Sequence, residues 1–108
     1  MSDGFDQRLD GFETKYKLEE EQKFRAVARR NKLLGRWAAG LMGLGDDKVE
    51  GYVMDVVKSD FEEAGHEDVF RKVKGDLDAA GQNVSDEELR SKMEELYGQA
   101  CKEISEEG

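Results

Sequence analysis

The sequence predicts an all-α protein, a four-helix bundle with a flexible amphipathic N-terminal arm, and three observations carry that prediction. The 108 residues contain no proline, so the strongest helix breaker is missing. Apolar residues recur at threes and fours in separate segments, which is the spacing of one helix face. Glycines fall mostly between those segments, where the chain must turn.

Residues 1–19 come first. Phe5, Leu9, Phe12 and Tyr16 stand at intervals of four, three and four, so the segment is an amphipathic helix if it folds. Gly4, Gly11 and the charges Asp3, Asp6, Arg8, Asp10, Glu13, Lys15 and Lys17 keep such a short helix frayed on its own. Four later stripes already close a bundle, so this one is read as surplus to the core. Its aromatic side chains suit a partner's groove. The other reading is an extension of the first bundle helix that caps the bundle.

Residues 20–108 are read as the bundle. Its first helix, about 20–43, places Phe24, Val27, Ala28, Leu34, Trp37, Ala38 and Leu41 inward, followed by Leu44. Leu33 and Trp37 widen that stripe, and Gly40, Gly43 and Gly45 end it. A second helix, about 47–63, is capped by Asp46 or Asp47. It buries Val49, Tyr52, Val53, Val56, Val57 and Phe61 and stops at Gly65. A third, about 67–80, buries Val69, Phe70, Val73 and Leu77, with Gly81 placed to end it in the left-handed conformation. The fourth, about 86–104, starts from the capping box Ser85-Asp86-Glu87-Glu88 and carries Leu89, Met93, Leu96, Tyr97, Ala100 and Ile104 on one face. Cys101 borders that face as a small core hydrophobe. Short turns make successive helices antiparallel neighbours, and four mutually satisfied stripes suit a monomer.

Composition then narrows the function. Lys and Arg number 17 against 26 Asp and Glu, a formal net charge of -9, which excludes non-specific nucleic-acid binding because phosphate neutralisation needs a cationic surplus. Yet Lys23, Arg25, Arg29, Arg30, Lys32 and Arg36 follow one another with no acidic residue among them. That basic helix either faces acidic neighbours within the molecule or presents a docking patch to an anionic partner. No apolar run approaches the roughly eighteen residues that cross a bilayer, and Met1-Ser2-Asp3-Gly4 does not open a secretory leader. A cytoplasmic protein without membrane insertion is expected, and the single cysteine agrees with a reducing compartment.

Catalytic chemistry is sparse. His66 stands among Glu62, Glu63, Glu67 and Asp68, a poor donor set for a transition metal. The same stretch lacks the spacing of a calcium loop, no phosphate-cradling glycine loop occurs, and the serines have no base at a recognisable spacing. The expectation is a protein that is not an enzyme, requires no cofactor or metal, and acts by binding another macromolecule.

One segment is recognisable. Phe24-Arg25-Ala26-Val27-Ala28-Arg29-Arg30-Asn31-Lys32-Leu33-Leu34-Gly35-Arg36-Trp37-Ala38-Ala39 resembles the zeta subunit family of alphaproteobacterial F-type ATP synthases. The likeness continues through Asp60-Phe61-Glu62-Glu63-Ala64-Gly65, Glu67 to Val73, Val84-Ser85-Asp86 and Arg90 to Leu96, and covers nearly the whole chain. In the arm it matches Phe5, Arg8, Phe12, Glu13, Lys15 and Tyr16; Tyr16 stands where phenylalanine is expected, His66 where an acidic residue is usual, and Gly40 replaces a better helix former.

The resemblance implies a regulatory subunit that binds the catalytic head of the ATP synthase and blocks ATP hydrolysis by wedging its N-terminal helix against rotation. The implied partner-binding residues are Phe5, Arg8, Leu9, Phe12, Glu13, Lys15 and Tyr16. It also implies a location peripheral to the inner membrane through the enzyme, and weak ADP or ATP binding that Arg25, Arg29, Arg30, Lys32 and Arg36 could assist. The alternative is a bundle that senses adenine nucleotides, or an adaptor, acting through a protein partner.

Overall fold

A computed structural model of the chain describes residues 11–60 and 67–107. It contains α1 (Glu20–Met42), α2 (Asp46–Ser59), α3 (Glu67–Ala79) and α4 (Asp86–Glu107). All regular structure among the described residues is helical, so the fold is all-α. Phe61, Glu62, Glu63, Gly65 and His66 lie outside the described residues, as do Phe5, Arg8 and Leu9.

Local chemistry sets most helix ends. At the start of α4 the Glu88 amide donates to Ser85 Oγ at 3.0 Å, and the Ser85 amide donates to the Glu88 carboxylate at 3.0 Å. This is the reciprocal capping box that the sequence predicts. α3 stops at Gly81, whose φ of 78° lets the Gln82 amide reach the Leu77 carbonyl at 2.9 Å and the Gly81 amide reach Asp78 at 3.0 Å. α1 stops in the same way at Gly43, with φ 72° and a 3.1 Å bond from the Leu44 amide to the Ala39 carbonyl. The start of α2 differs from expectation. Gly45 is its N-cap and no side chain caps it; Asp46 and Asp47 lie in the first turn, where their charge complements the helix dipole.

α1 runs through the centre and packs on all three other helices, most extensively on α2 and α4. One core cluster joins Leu34 and Ala38 of α1 to Val56 of α2, to Val69, Phe70, Val73 and Leu77 of α3, and to Leu89, Met93 and Leu96 of α4. The predicted inward faces of α3 and α4 are buried throughout. On α2, Val53 and Val56 are buried and Val49, Tyr52 and Val57 half-buried. Polar ties brace the joins: Tyr52 donates to Asp76 at 2.9 Å, and Arg90 grips Glu67 with two bonds of 2.9 and 3.1 Å while stacking 4.0 Å from the Phe70 ring centre.

The buried face of α1 is rotated from the predicted one. It consists of Ala26, Arg30, Asn31, Leu34, Gly35, Ala38 and Ala39. Phe24 is 75% exposed, Ala28 and Leu41 are exposed, and Trp37 is half-buried. Close helix approach explains the rotation. A Cβ at Gly35 would stand 3.0 Å from Val53 Cα, so α1 meets α2 at a glycine, where a bulkier residue of α1 does not fit. Trp37 lies at the margin of the core cluster, with the Lys92 ammonium 5.7 Å from its ring centre.

Candidate functional site at the arm root and the basic helix

Residues 11–15 are helical and stand ahead of α1. They end in the same paired bonds as the glycine-stopped helices: the Leu18 amide donates to Glu13 at 3.0 Å and the Lys17 amide to Thr14 at 3.2 Å. Here the left-handed position is held by Lys17, at φ 56°, a conformation that a residue with a Cβ adopts at a cost. Leu18 beyond it is buried.

This turn lies on α4. The Phe12 ring meets Tyr97 edge-on, with centroids 6.5 Å apart and planes at 63°. It also covers Gly98 so closely that a Cβ there would come within 2.9 Å of the ring. The Tyr97 hydroxyl donates to Glu13 at 2.7 Å, and the Lys23 ammonium is 3.6 Å from the same carboxylate. Phe12 and Tyr16, with Val27, pack on a second cluster built from Leu18, Ala26, Tyr97, Ala100, Cys101 and Ile104. The expectation that the aromatic stripe is surplus to the core therefore fails for Phe12 and Tyr16. Lys15 is exposed, with its ammonium 5.4 Å from the Tyr16 ring centre.

Burial shapes the titration of this cluster. It holds the Tyr97 hydroxyl protonated well above the usual range, with the bond to Glu13 adding to the effect. It also pushes the Cys101 thiol up to about 11. A neutral, buried thiol is a poor nucleophile at physiological pH, as the reading of Cys101 as a core side chain requires.

The basic helix is largely neutralised from within. Arg25 pairs with Glu107 at 3.0 Å, and Arg29 pairs with both Glu103, at 3.3 Å, and Glu107. The bond to Glu107 leads the causes that raise the Arg29 pKa, and the same bond holds Glu107 below the usual carboxylate range. Arg36 reaches Glu50 at 3.5 Å, and Lys32 is exposed. Arg30 departs furthest from expectation: it is fully buried and donates from Nε to Asn31 at 2.7 Å. Desolvation lowers its pKa to about 10, against the pull of Asp60 and Tyr97. It stays charged at neutral pH but does not present itself on the surface, so it is withdrawn from the candidate docking residues.

Among the described residues, no group of three metal-ligating side chains could hold an ion, and no helix is long and apolar enough to cross a membrane. The structure thus brings Phe12 and Glu13 onto Tyr97, packs Tyr16 on the same cluster, and pairs Arg25, Arg29 and Arg36 with glutamates. Gly98 is the residue that sequence reasoning missed. A glycine inside an otherwise strong helix costs stability, and it signals that something approaches the backbone closely.

Comparison with known proteins places this arrangement. A protein whose structure was determined in solution by NMR is 48% identical over 80% of this chain and 98% of its own, with a TM-score of 0.68. No curated protein matches. A family model described as ATPase inhibitor subunit zeta matches residues 1–103, the arm and bundle together. The chain belongs to the ATPase inhibitor subunit zeta family.

Proposed function

We propose that the chain is a regulatory subunit that binds the catalytic head of F-type ATP synthase and inhibits ATP hydrolysis through its N-terminal helix. The family supplies the inhibitory role. The observation that carries the route is the arm's apolar face: Phe5, Leu9, Phe12 and Tyr16 have the i, i+4, i+7, i+11 spacing of a helix laid in a groove. Arg8, Glu13 and Lys15 flank that face and fix its register by charge. A helix wedged between head subunits stops the rotation that hydrolysis requires, and no catalytic group or cofactor is needed for that. Membrane association then comes through the enzyme alone.

The nucleotide-sensor reading, in which Arg25, Arg29, Arg30, Lys32 and Arg36 bind ADP or ATP weakly, is the less favoured one because its arginines are engaged, although Lys32 is exposed. Arg25, Arg29 and Arg36 spend their charge on glutamates, and Arg30 is buried. A phosphate would have to displace those carboxylates.

The test is titration of the purified catalytic head with the full chain while ATP hydrolysis is followed. The full chain is expected to inhibit, a chain lacking residues 1–18 to lose inhibition, and Phe5→Ala to weaken it by about 1 to 3 kcal/mol as a buried anchor. Equal inhibition by the shortened chain would move the effector to the bundle.

A further inference from the structure

One apolar face cannot serve two hosts at once. The proposed route lays Phe12 and Tyr16 in a groove of the partner, yet both side chains are packed on the cluster around Tyr97 and Cys101. We infer that the docking of residues 11–18 on α4 is an autoinhibitory latch: the partner must draw Phe12 off Tyr97 and Gly98, and Tyr16 off the same cluster, before the whole arm helix can bind. The inference rests on the proposed route of inhibition, and it adds an intramolecular competitor to it.

The latch is specific. Gly98 leaves room for the Phe12 ring that any side chain would take, since a Cβ would intrude to 2.9 Å. Glu13 is fixed by the Tyr97 hydroxyl at 2.7 Å and by Lys23. It is also weak enough to open. Phe12 and Tyr16 are only half-buried, and the turn that carries them is held by Lys17 in a strained left-handed conformation. Opening relieves that strain, and the partner's groove replaces the lost aromatic contacts.

The consequence is quantitative. When only a fraction of molecules is competent to bind, the apparent dissociation constant is the intrinsic one divided by that fraction. A latch closed nine times in ten therefore weakens apparent inhibition about tenfold. Loosening the latch without altering the arm must raise potency, up to that limit.

Two variants of the full chain test this away from the arm. Gly98→Ala pushes a methyl group into the Phe12 ring while substituting a better helix former in α4. Tyr97→Phe keeps the ring and removes the hydroxyl that holds Glu13. Two readouts are taken, amide hydrogen exchange at residues 12–18 in the free protein and the concentration that half-inhibits ATP hydrolysis by the catalytic head. Both variants are expected to speed exchange severalfold and to lower the half-inhibiting concentration by a similar factor. Unchanged exchange, or faster exchange with unchanged or weaker inhibition, overturns the latch. If neither wild type nor variants inhibit, the proposed route falls and the competition falls with it. If wild type inhibits and the loosened variants do no better, only the latch falls.

Discussion

The two ends of the α1–α4 pair are covered by different means. α1 and α4 have 23 and 22 residues, whereas α2 and α3 have 14 and 13. At 1.5 Å per residue that is roughly 35 Å against roughly 20 Å, so the short helices cannot cover the whole seam between the long ones. One end is closed by α2 and α3 around Leu34, Val73, Leu77 and Met93. The other, around Tyr97, Ala100, Cys101 and Ile104, is closed by residues 11–18. An apolar stripe must be buried by something, and here the cover is a segment that the proposed route of inhibition also uses. The difference separates a permanent core from a removable one.

The largest expected effect is at the permanent end. Leu34→Ala and Leu77→Ala, both at fully buried positions, should each cost about 2 to 5 kcal/mol. They should lower the urea midpoint of unfolding without changing its slope. A cost near that of a surface change would mean that the shared cluster is not the core.

Cutting the arm at two points probes the other end. Removal of residues 1–10 leaves residues 11–18 in the chain and sets the reference midpoint. Removal of 1–18 uncovers the second cluster and should cost about 1 to 3 kcal/mol, the burial of a few half-covered side chains. The shorter chain should also label faster at Cys101, since burial is what holds that thiol up to about 11. Equal midpoints and equal labelling for the two cuts would show that residues 11–18 cover nothing.

Much of this was legible in the sequence, and the parts that were not share a cause. α3 and α4 could be read because their stripes use large apolar residues at regular spacing and their ends carry a glycine at 81 and a capping box at 85. α1 misleads because, apart from Leu34, its buried face is made of small residues and two polar ones, Arg30 and Asn31, while Phe24 points outward. Hydrophobic periodicity weighs side-chain size and polarity, whereas backbone proximity at Gly35 decided the packing. The arm residues Phe12, Glu13 and Tyr16 were visible, but their seat was not. It depends on which helices are short, a property of helix lengths taken together, and on the absence of a side chain at Gly98.

Acid should loosen both ends of α4 while leaving its middle intact. Glu107 is held below its usual range mainly by the bond with Arg29, and Glu88 mainly by the backbone bond at Ser85. A depressed carboxylate pKa means stabilisation that is present above the ordinary glutamate value, about 4.3, and is lost as pH falls through the folded value. Both groups are exposed, so the effect is local fraying and not global unfolding. Amide exchange, corrected for intrinsic pH dependence, should show increased opening first near Ser85 and Glu107 as pH drops below about 4. Protection lost first in the middle of α4 would contradict this.

The smallest effect expected is at the hinge of the removable cover. Lys17 occupies the left-handed position that glycine fills at 43 and 81, and three helical stops of one geometry therefore differ in a single chemical respect. Replacing Lys17 with glycine removes the clash between its Cβ and the backbone, worth roughly 1 kcal/mol, but glycine returns part of that as extra freedom in the undocked chain. A net gain of about 0.5 kcal/mol for the docked turn should remain. It would slow amide exchange at residues 12–18 by about twofold, since 1.4 kcal/mol corresponds to a factor of ten. Lys17→Gly should therefore act in the opposite sense to Gly98→Ala, closing the cover and weakening inhibition slightly where Gly98→Ala opens it. If both substitutions shift exchange in the same direction, the turn at Lys17 is not the strained root of the latch, and the removable end owes its weakness to its few contacts alone.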